Sequence, residues 1–157
     1  MYRIHLTIVG KGSRGPLGEL VEEYLKRLGP YAKIKIHEIK EETFRSPEDR
    51  PRVIREEGKR IESALMDDAF TVVLSAEGKG MPSEKFAEAL DKWSEQEARP
   101  LQFVIGGPLG IDPVIKKRAD LLLSLSEMTF PHDVARVLLL EQLYRAFTIQ
   151  KGKTYHY

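Results

Sequence analysis

The chain has 157 residues, no cysteine and a formal net charge of +1, so disulfides, thiolate metal sites and a cysteine nucleophile are excluded. This length is typical of a single domain, here residues 1–157, and the small net charge gives no overall attraction to nucleic acid. No apolar run approaches the roughly 20 residues of a membrane-spanning helix, and the N-terminus does not resemble a secretory signal, so we expect a cytoplasmic protein.

Strand-like and helical stretches alternate along the chain. Five stretches with alternating or continuous apolar residues predict strands at 2–9, 33–39, 69–74, 101–105 and 121–125. Five stretches with helical apolar spacing predict helices at about 17–28, 46–65, 82–97, 112–119 and 133–149. This order predicts an α/β domain with a mostly parallel sheet, in which ligands bind at the carboxyl ends of strands.

The first strand is followed by the glycine-rich loop Gly10–Gly15, whose spacing matches the GxGxxG dinucleotide fingerprint. Glu38, at the end of the second strand, is a counterpart of the acidic residue that such sites require. The order of residues does not match a P-loop. The loop is therefore either a flexible connection, whose Lys11 and Arg14 can contact phosphate, or part of a dinucleotide site.

Two charged segments each allow two interpretations. The second helix carries five basic residues interleaved with acidic ones, which favours a solvated charged surface over an RNA contact. The tail Lys151–Tyr157 combines cations, aromatic rings and a histidine, a mixture that suits phosphate contact with base stacking. A frayed polar terminus has the same composition.

Three strand exits are candidate site loops because they are rich in glycine or otherwise unusual. They follow Leu74, Ile105 and Leu125. The second exit, Gly106-Gly107-Pro108, is a turn whose backbone must come close to a neighbouring group. We therefore expect a ligand site built from these three loops.

The last predicted helix is apolar on nearly all of its faces, which indicates burial on all sides. Burial by a second copy of the chain predicts a homodimer. The alternative is a helix wedged between other elements of one subunit.

No carboxylate pair, metal-ligand histidine spacing or GxSxG elbow is present, so hydrolase and metalloenzyme chemistry is disfavoured and no metal is expected. Four motifs taken together instead resemble the RlmH family of SPOUT-class ribosomal RNA methyltransferases. They are Ile105-Gly-Gly-Pro-x-Gly110, Leu123-Ser-Leu-Ser-x-Met-Thr-Phe-Pro-His132, Arg136-Val-x-Leu-x-Glu-Gln-x-Tyr-Arg-Ala-Phe147 and Tyr155-His156. The resemblance covers the whole chain.

This resemblance implies an α/β fold with a deep C-terminal trefoil knot and an obligate homodimer. It implies transfer of a methyl group from S-adenosylmethionine to N3 of a pseudouridine in 23S rRNA, with the assembled ribosome as substrate. The alternatives are a non-catalytic ribosome- or RNA-binding dimer of the same fold, and a dinucleotide oxidoreductase. Binding of S-adenosylmethionine discriminates among them.

The resemblance also implies a set of site residues. The cofactor pocket is expected at Leu74, Gly106, Gly107, Leu125, Ser126, Glu127, Met128, Thr129 and Phe130. Glu127 occupies a variable position of the family pattern and is a poor candidate for chemistry. The catalytic candidates are His132, Arg136, Tyr155 and His156, and we favour Tyr155 and His156 acting with Arg136.

Overall fold

The computed structural model describes residues 1–155, so the predicted catalytic residue His156 lies outside the described residues. The strands are β1 Tyr2–Val9, β2 Ala32–Ile39, β3 Phe70–Lys79, β4 Leu101–Ile105 and β5 Leu121–Leu123. The helices are α1 Pro16–Leu28, α2 Arg50–Ala64, α3 Ser83–Trp93, α4 Pro113–Arg118 and α5 His132–Gln150, and a 3-10 turn, Pro47–Asp49, precedes α2.

The five strands form one sheet in the order β2-β1-β4-β3-β5, and every neighbouring pair is parallel. This confirms the predicted α/β class. The carboxyl ends of all five strands lie at one edge of the sheet, and the direction of winding reverses between β1 and β4. In open α/β sheets this reversal creates the crevice in which ligands bind.

Helices cover both faces of the sheet. On one face, α1, α3 and α5 enclose the larger core, and on the other, α2 and α4 pack on a smaller apolar cluster. Strand β1 shows the division, because Ile4, Leu6 and Ile8 face the larger core while Val9 belongs to the smaller cluster.

Helix α5 lies between α1 and α3 on the sheet. Leu139, Leu140, Leu143 and Phe147 are at most 1% exposed within one chain. Packing inside one subunit therefore accounts for much of the apolar character of this helix, and the homodimer stays a prediction.

Three predicted boundaries differ from the structure. Helix α3 ends at Trp93 because Glu95, Gln96 and Glu97 take positive φ angles of 49°, 56° and 72°, a left-handed conformation that cannot continue the helix. Strand β3 continues beyond Leu74 to Lys79, but its register shifts in between, since both residues pair with Leu123. Strand β5 ends at Leu123, two residues earlier than predicted.

No helix within residues 1–155 has the length and apolar character needed to cross a membrane.

Candidate active site

A cavity of about 600 Å³ opens at the carboxyl ends of β4 and β5 and beside the middle of β3, where the register of β3 begins to shift. Its walls come from the three strand exits together with the start of α5 and one residue of α4. Eight of the nine predicted cofactor residues line it: Leu74, Gly106, Gly107, Leu125, Ser126, Met128, Thr129 and Phe130. Glu127 is not on the lining. The volume lies within the range typical of small-molecule sites.

The Gly106–Gly107 turn needs glycine because protein atoms lie directly behind it. A Cβ on Gly106 would overlap Ile111 Cγ1 and lie 2.9 Å from Ile111 Cδ1. A Cβ on Gly107 would lie 2.8 Å from Glu57 Oε1 and 3.1 Å from Val9 Cγ1. The sequence predicts that a neighbouring group comes close to the backbone of this turn. Part of that neighbouring group is the protein itself, namely the side chains of Ile111, Glu57 and Val9.

The remainder of this turn is fixed by hydrogen bonds. The amide of Gly110, at φ 99°, donates to Gly107 O at 3.1 Å, and Arg50 Nε donates to Leu109 O at 2.9 Å. Asp112 then caps α4, accepting a hydrogen bond from the Val114 amide at 2.9 Å, as the sequence predicts. Helices α2 and α4 thus hold the turn in place before any ligand binds.

Two serines shape the loop after β5. Ser124 Oγ donates to Ser126 O at 2.9 Å, and Ser126 Oγ accepts from the Met128 amide at 3.0 Å. These bonds fold the loop over the cavity and leave Met128 75% and Phe130 39% exposed. The loop therefore presents an apolar outer surface as well as an inner wall.

His132, the first residue of α5, also lines the cavity. Its Nε2 lies 3.3 Å from Lys11 O, and its Nδ1 lies 3.8 Å from Glu41 Oε1. The imidazole therefore lies at the edge of the cavity between a backbone carbonyl and a carboxylate.

Arg136 is one turn further along α5 and is only 3% exposed. Its Nη1 donates to Glu38 Oε1 at 3.1 Å, its Nη2 lies 3.5 Å from Gly10 O, and its Nε has no partner among the described residues. The guanidinium is not on the cavity lining. In this arrangement it holds the end of β1 against the start of α5.

The same contacts explain the Gly10–Gly15 loop. Gly12 N donates to Glu38 Oε1 at 2.9 Å, and a Cβ on Gly12 would lie 2.8 Å from Arg136 Nη1. A carboxylate and a guanidinium thus lie behind the loop and tie it to β2 and α5, contacts that the sequence pattern does not reveal.

Tyr155 lies far from the cavity of its own chain. Its ring packs edge-on against Tyr144 at 4.7 Å, and its hydroxyl lies 3.4 Å from that of Tyr24. Tyr144 is twelve residues beyond His132 on α5, about 18 Å at 1.5 Å per residue. One chain therefore does not bring Tyr155 together with His132.

Comparisons with known proteins agree with this architecture. A family model described as a predicted SPOUT methyltransferase matches residues 2–156. The chain belongs to the SPOUT methyltransferase family. The oxidoreductase interpretation is thereby excluded, and a methyl-donor cofactor is implied.

Two relatives of this SPOUT methyltransferase carry the name ribosomal RNA large subunit methyltransferase H. The protein of Bifidobacterium adolescentis is 43% identical over 98% of this chain and 99% of its own. The protein of Streptococcus gordonii is 40% identical over 98% of this chain and 99% of its own. A solved structure of a probable methylase family protein from Haemophilus influenzae matches 96% of this chain and 68% of its own, with a TM-score of 0.55 and 14% identity, which supports the fold alone.

Sequence reasoning missed one charged residue of this SPOUT methyltransferase's cavity. Lys116 of α4 is the only permanent charge among the lining residues that the structure describes. Its nearest carboxylate is that of Glu77, 3.8 Å away, whose side chain is 86% exposed. Lys116 stands in an ordinary run of basic residues, so no sequence signal distinguishes it.

Sequence reasoning also missed Glu57, an acidic residue of α2 that is buried rather than part of the solvated charged surface. Glu57 is 2% exposed, its Oε2 accepts from the Glu42 amide at 3.0 Å, and its Oε1 has no partner among the described residues. Burial, above all, raises the pKa of this carboxyl. Its position in the sequence could have indicated this burial. Glu57 lies four residues after Val53 and four before Ile61, and therefore on the same buried side of the helix.

Proposed function

We propose that this SPOUT methyltransferase transfers a methyl group from S-adenosylmethionine to N3 of a pseudouridine in 23S rRNA, acting on the assembled ribosome in the cytoplasm. The observation that carries the proposal is the cavity beside β3 and at the carboxyl ends of β4 and β5, built by Leu74, Gly106 and the loop Leu125–Phe130. Relatives named for large-subunit ribosomal RNA, at about 40% identity over nearly the whole chain, support the choice of substrate.

The lining fits the proposed cofactor. Leu74, Ile105, Leu125 and Phe130 offer apolar contact to an adenosine, and Lys116 offers a cation to a carboxylate. No acidic residue is on the lining within residues 1–155. When bound, S-adenosylmethionine supplies an electrophilic methyl group. We assign the eight lining residues identified from the sequence, and Lys116, to its binding.

The protein's own part is to align the target base and to remove the N3 proton. We assign this second task to His132, since it lines the cavity and a carboxylate oxygen of Glu41 lies 3.8 Å from its Nδ1. Arg136 acts as a positioning residue, because it is buried and orders Gly10 and the start of α5.

Tyr155 and His156 remain catalytic candidates in this proposal. Burial is the main cause that raises the pKa of the Tyr155 hydroxyl to about 12, so this group acts as a hydrogen-bond donor rather than as a base. Because Tyr155 packs on Tyr144, which lies about 18 Å along α5 from His132, its participation requires a second copy of the chain.

A homodimer is therefore part of the proposal, as is the trefoil knot. A groove of about 310 Å³ beside α5, lined by Phe86, Leu125, Phe130 and Leu138 among others, continues the exposed apolar surface of Met128. A second copy would cover this surface. Light scattering at micromolar concentration tests the dimer, and a monomer would contradict it.

The substrate is tested by transfer of labelled methyl to intact ribosomes, separate subunits and free 23S rRNA in parallel. We expect transfer to intact ribosomes, with the label at N3 of a pseudouridine. Calorimetry with S-adenosylmethionine runs beside it, and an absence of binding at millimolar cofactor would favour a non-catalytic ribosome-binding dimer.

The catalytic assignments are tested with single variants and with mixed dimers. His132→Ala and Tyr155→Phe should each lower turnover on ribosomes. A mixed dimer combines one His132→Ala chain with one Tyr155→Phe chain. If each site takes His132 from one chain and Tyr155 from the other, one of its two sites is intact and about half the activity remains. If each site takes both residues from one chain, neither site is intact and no activity remains. Unchanged turnover in His156→Ala would remove His156 from the mechanism.

A further inference from the structure

A group of basic side chains occupies the exposed part of the sheet, away from the cavity. Residues Arg3 and His5 of β1 and Lys33, Lys35 and His37 of β2 alternate with core residues and point to the face that carries α2 and α4. These five residues are called the strand patch below. The two helices cover only the carboxyl half of β1 and β2, so the strand patch is exposed or half-buried.

The register of the two strands sets like charges side by side. Arg3 pairs with Lys33, and His5 pairs with Lys35. Opposed like charges destabilise a sheet. The rings of His5 and His37 stack with centroids 5.6 Å apart, and Nδ1 of His5 lies 3.4 Å from Nε2 of His37.

Among the described residues, no carboxylate lies within ion-pair distance of the strand patch. Within residues 1–155, none of its five members forms an ion pair, whereas Arg52, Lys59 and Arg60 of α2 all pair with glutamates. Asp68, which faces His5, is the acidic group whose charge acts on that imidazole, and burial together with the neighbouring cations still lowers the pKa of His5. The permanent positive charges of the patch therefore have no ion-pair partner within residues 1–155.

We propose that the strand patch binds the phosphate backbone of the RNA substrate, outside the catalytic cavity. The proposal rests on the proposed function, since it extends the footprint of the same substrate. Lys33 and Lys35 lie two residues apart on one strand, about 6.6 Å, a separation comparable to that of successive phosphates along an RNA strand. A row of cations that repel one another is stabilised when a row of phosphates lies across it.

Salt dependence of binding tests the strand patch directly. Each phosphate contact contributes about 0.7–0.9 to the slope of log K against log salt concentration. Lys33→Ala/Lys35→Ala should therefore lower the slope by about 1.4–1.8, and its loss of affinity relative to the wild type should shrink roughly tenfold between 50 and 200 mM salt. Binding is measured on intact ribosomes and on deproteinised 23S rRNA.

The control is Lys26→Ala/Lys92→Ala, which removes the same charge from exposed positions on α1 and α3, over the opposite face of the sheet. It should leave the slope unchanged. Both double variants should keep wild-type affinity for S-adenosylmethionine, because neither touches the cavity, and Lys33→Ala/Lys35→Ala should be no less stable to heat than the wild type, because it removes opposed like charges. In methyl transfer, Lys33→Ala/Lys35→Ala should raise KM for ribosomes and leave kcat unchanged.

Three results separate the alternatives. Equal slopes for the two double variants would overturn the strand patch as an RNA contact. Weaker binding to ribosomes with unchanged binding to deproteinised RNA would also overturn it, and would assign the patch to an acidic ribosomal protein. A wild type that transfers no methyl to ribosomes, while the slope still falls on RNA, would overturn the proposed function and leave the strand patch as an RNA-binding surface.

Discussion

Replacing Gly106 by alanine tests whether the first glycine of the Gly-Gly-Pro turn is required by the protein itself. The added methyl group would overlap Ile111, which is 6% exposed and belongs to the core cluster under α2 and α4. Overpacking of this kind costs about 1–3 kcal/mol. In a chain of this length, 1 kcal/mol corresponds to about 2–4 °C in Tm, so urea denaturation and thermal melting both resolve the effect.

The matched control is Gly80→Ala, because a Cβ on Gly80 meets no atom within 4 Å and that glycine has an ordinary φ. A second variant removes the obstructing side chain. Ile111→Ala alone should cost about 2–5 kcal/mol through the cavity it leaves. Combined with Gly106→Ala, it should cost less than the sum of the two, with a coupling of about 0.5–3 kcal/mol.

Two outcomes would refute the reasoning. If Gly106→Ala is as stable as Gly80→Ala, the turn is loose enough to move and Ile111 does not support it. If the two substitutions are additive, their contact does not set the cost. Calorimetry on the same variants then measures their affinity for S-adenosylmethionine. We expect Gly106→Ala to weaken it, because the turn forms a wall of the cavity.

Three further predictions concern charge and backbone strain. Burial alone would raise the pKa of Glu38, but hydrogen bonds from Arg136 and a loop amide outweigh it and lower that pKa. The wild type should therefore have a larger free energy of unfolding than Glu38→Gln, by an amount that is constant above about pH 5. This difference should be lost as the pH falls below the pKa of about 4.3 in the unfolded chain and through the lower pKa in the folded chain. Urea denaturation between pH 3 and 7 measures it, and a constant difference would contradict it. Lys116→Met should weaken binding of S-adenosylhomocysteine about tenfold but not that of methylthioadenosine, which lacks the carboxylate, and Lys117→Met, on the exposed side of α4, should change neither. Calorimetry measures both affinities. If Lys116→Met weakened the binding of S-adenosylhomocysteine and of methylthioadenosine equally, Lys116 would act only on the shape of the cavity. Gln96→Gly should stabilise the chain by about 1 kcal/mol by removing a left-handed strain at φ 56°, and an unchanged urea midpoint would show that the turn is unstrained.

The sequence predicts the parts of the site that depend on local pattern. The apolar run before Gly106 and the unusual exits after Leu74 and Leu125 predict three strand ends, and parallel strands place such ends together. The Asp112 helix cap and the Glu141–Arg145 ion pair, 2.6 Å apart, are likewise local, because each joins residues at most four positions apart.

Long-range contacts are what local pattern does not predict. Arg136 and Glu38 are 98 residues apart in the chain, and their ion pair ties the Gly10–Gly15 loop to α5. Lys116 reaches the cavity only because α4 crosses beside β3. Composition gives no signal for either contact, since each depends on which strands become neighbours.

Strand β1 connects the strand patch with the cavity. Arg3 stands near its start, and Val9, at its end, packs under Gly107 of the cavity wall. Six residues of strand separate them, about 20 Å. An RNA that places its target base in the cavity must therefore extend several nucleotides along β1 before its backbone reaches the patch.

The length of the RNA is thus a variable that tests the proposed path. A fragment limited to the nucleotides around the target base should bind with the same affinity to the wild type and to Lys33→Ala/Lys35→Ala, because it cannot reach the patch. Lengthening the fragment in steps should restore the difference once it spans about 20 Å. A difference already present with the shortest fragment would mean that the two lysines act through the general field of the protein rather than through contact.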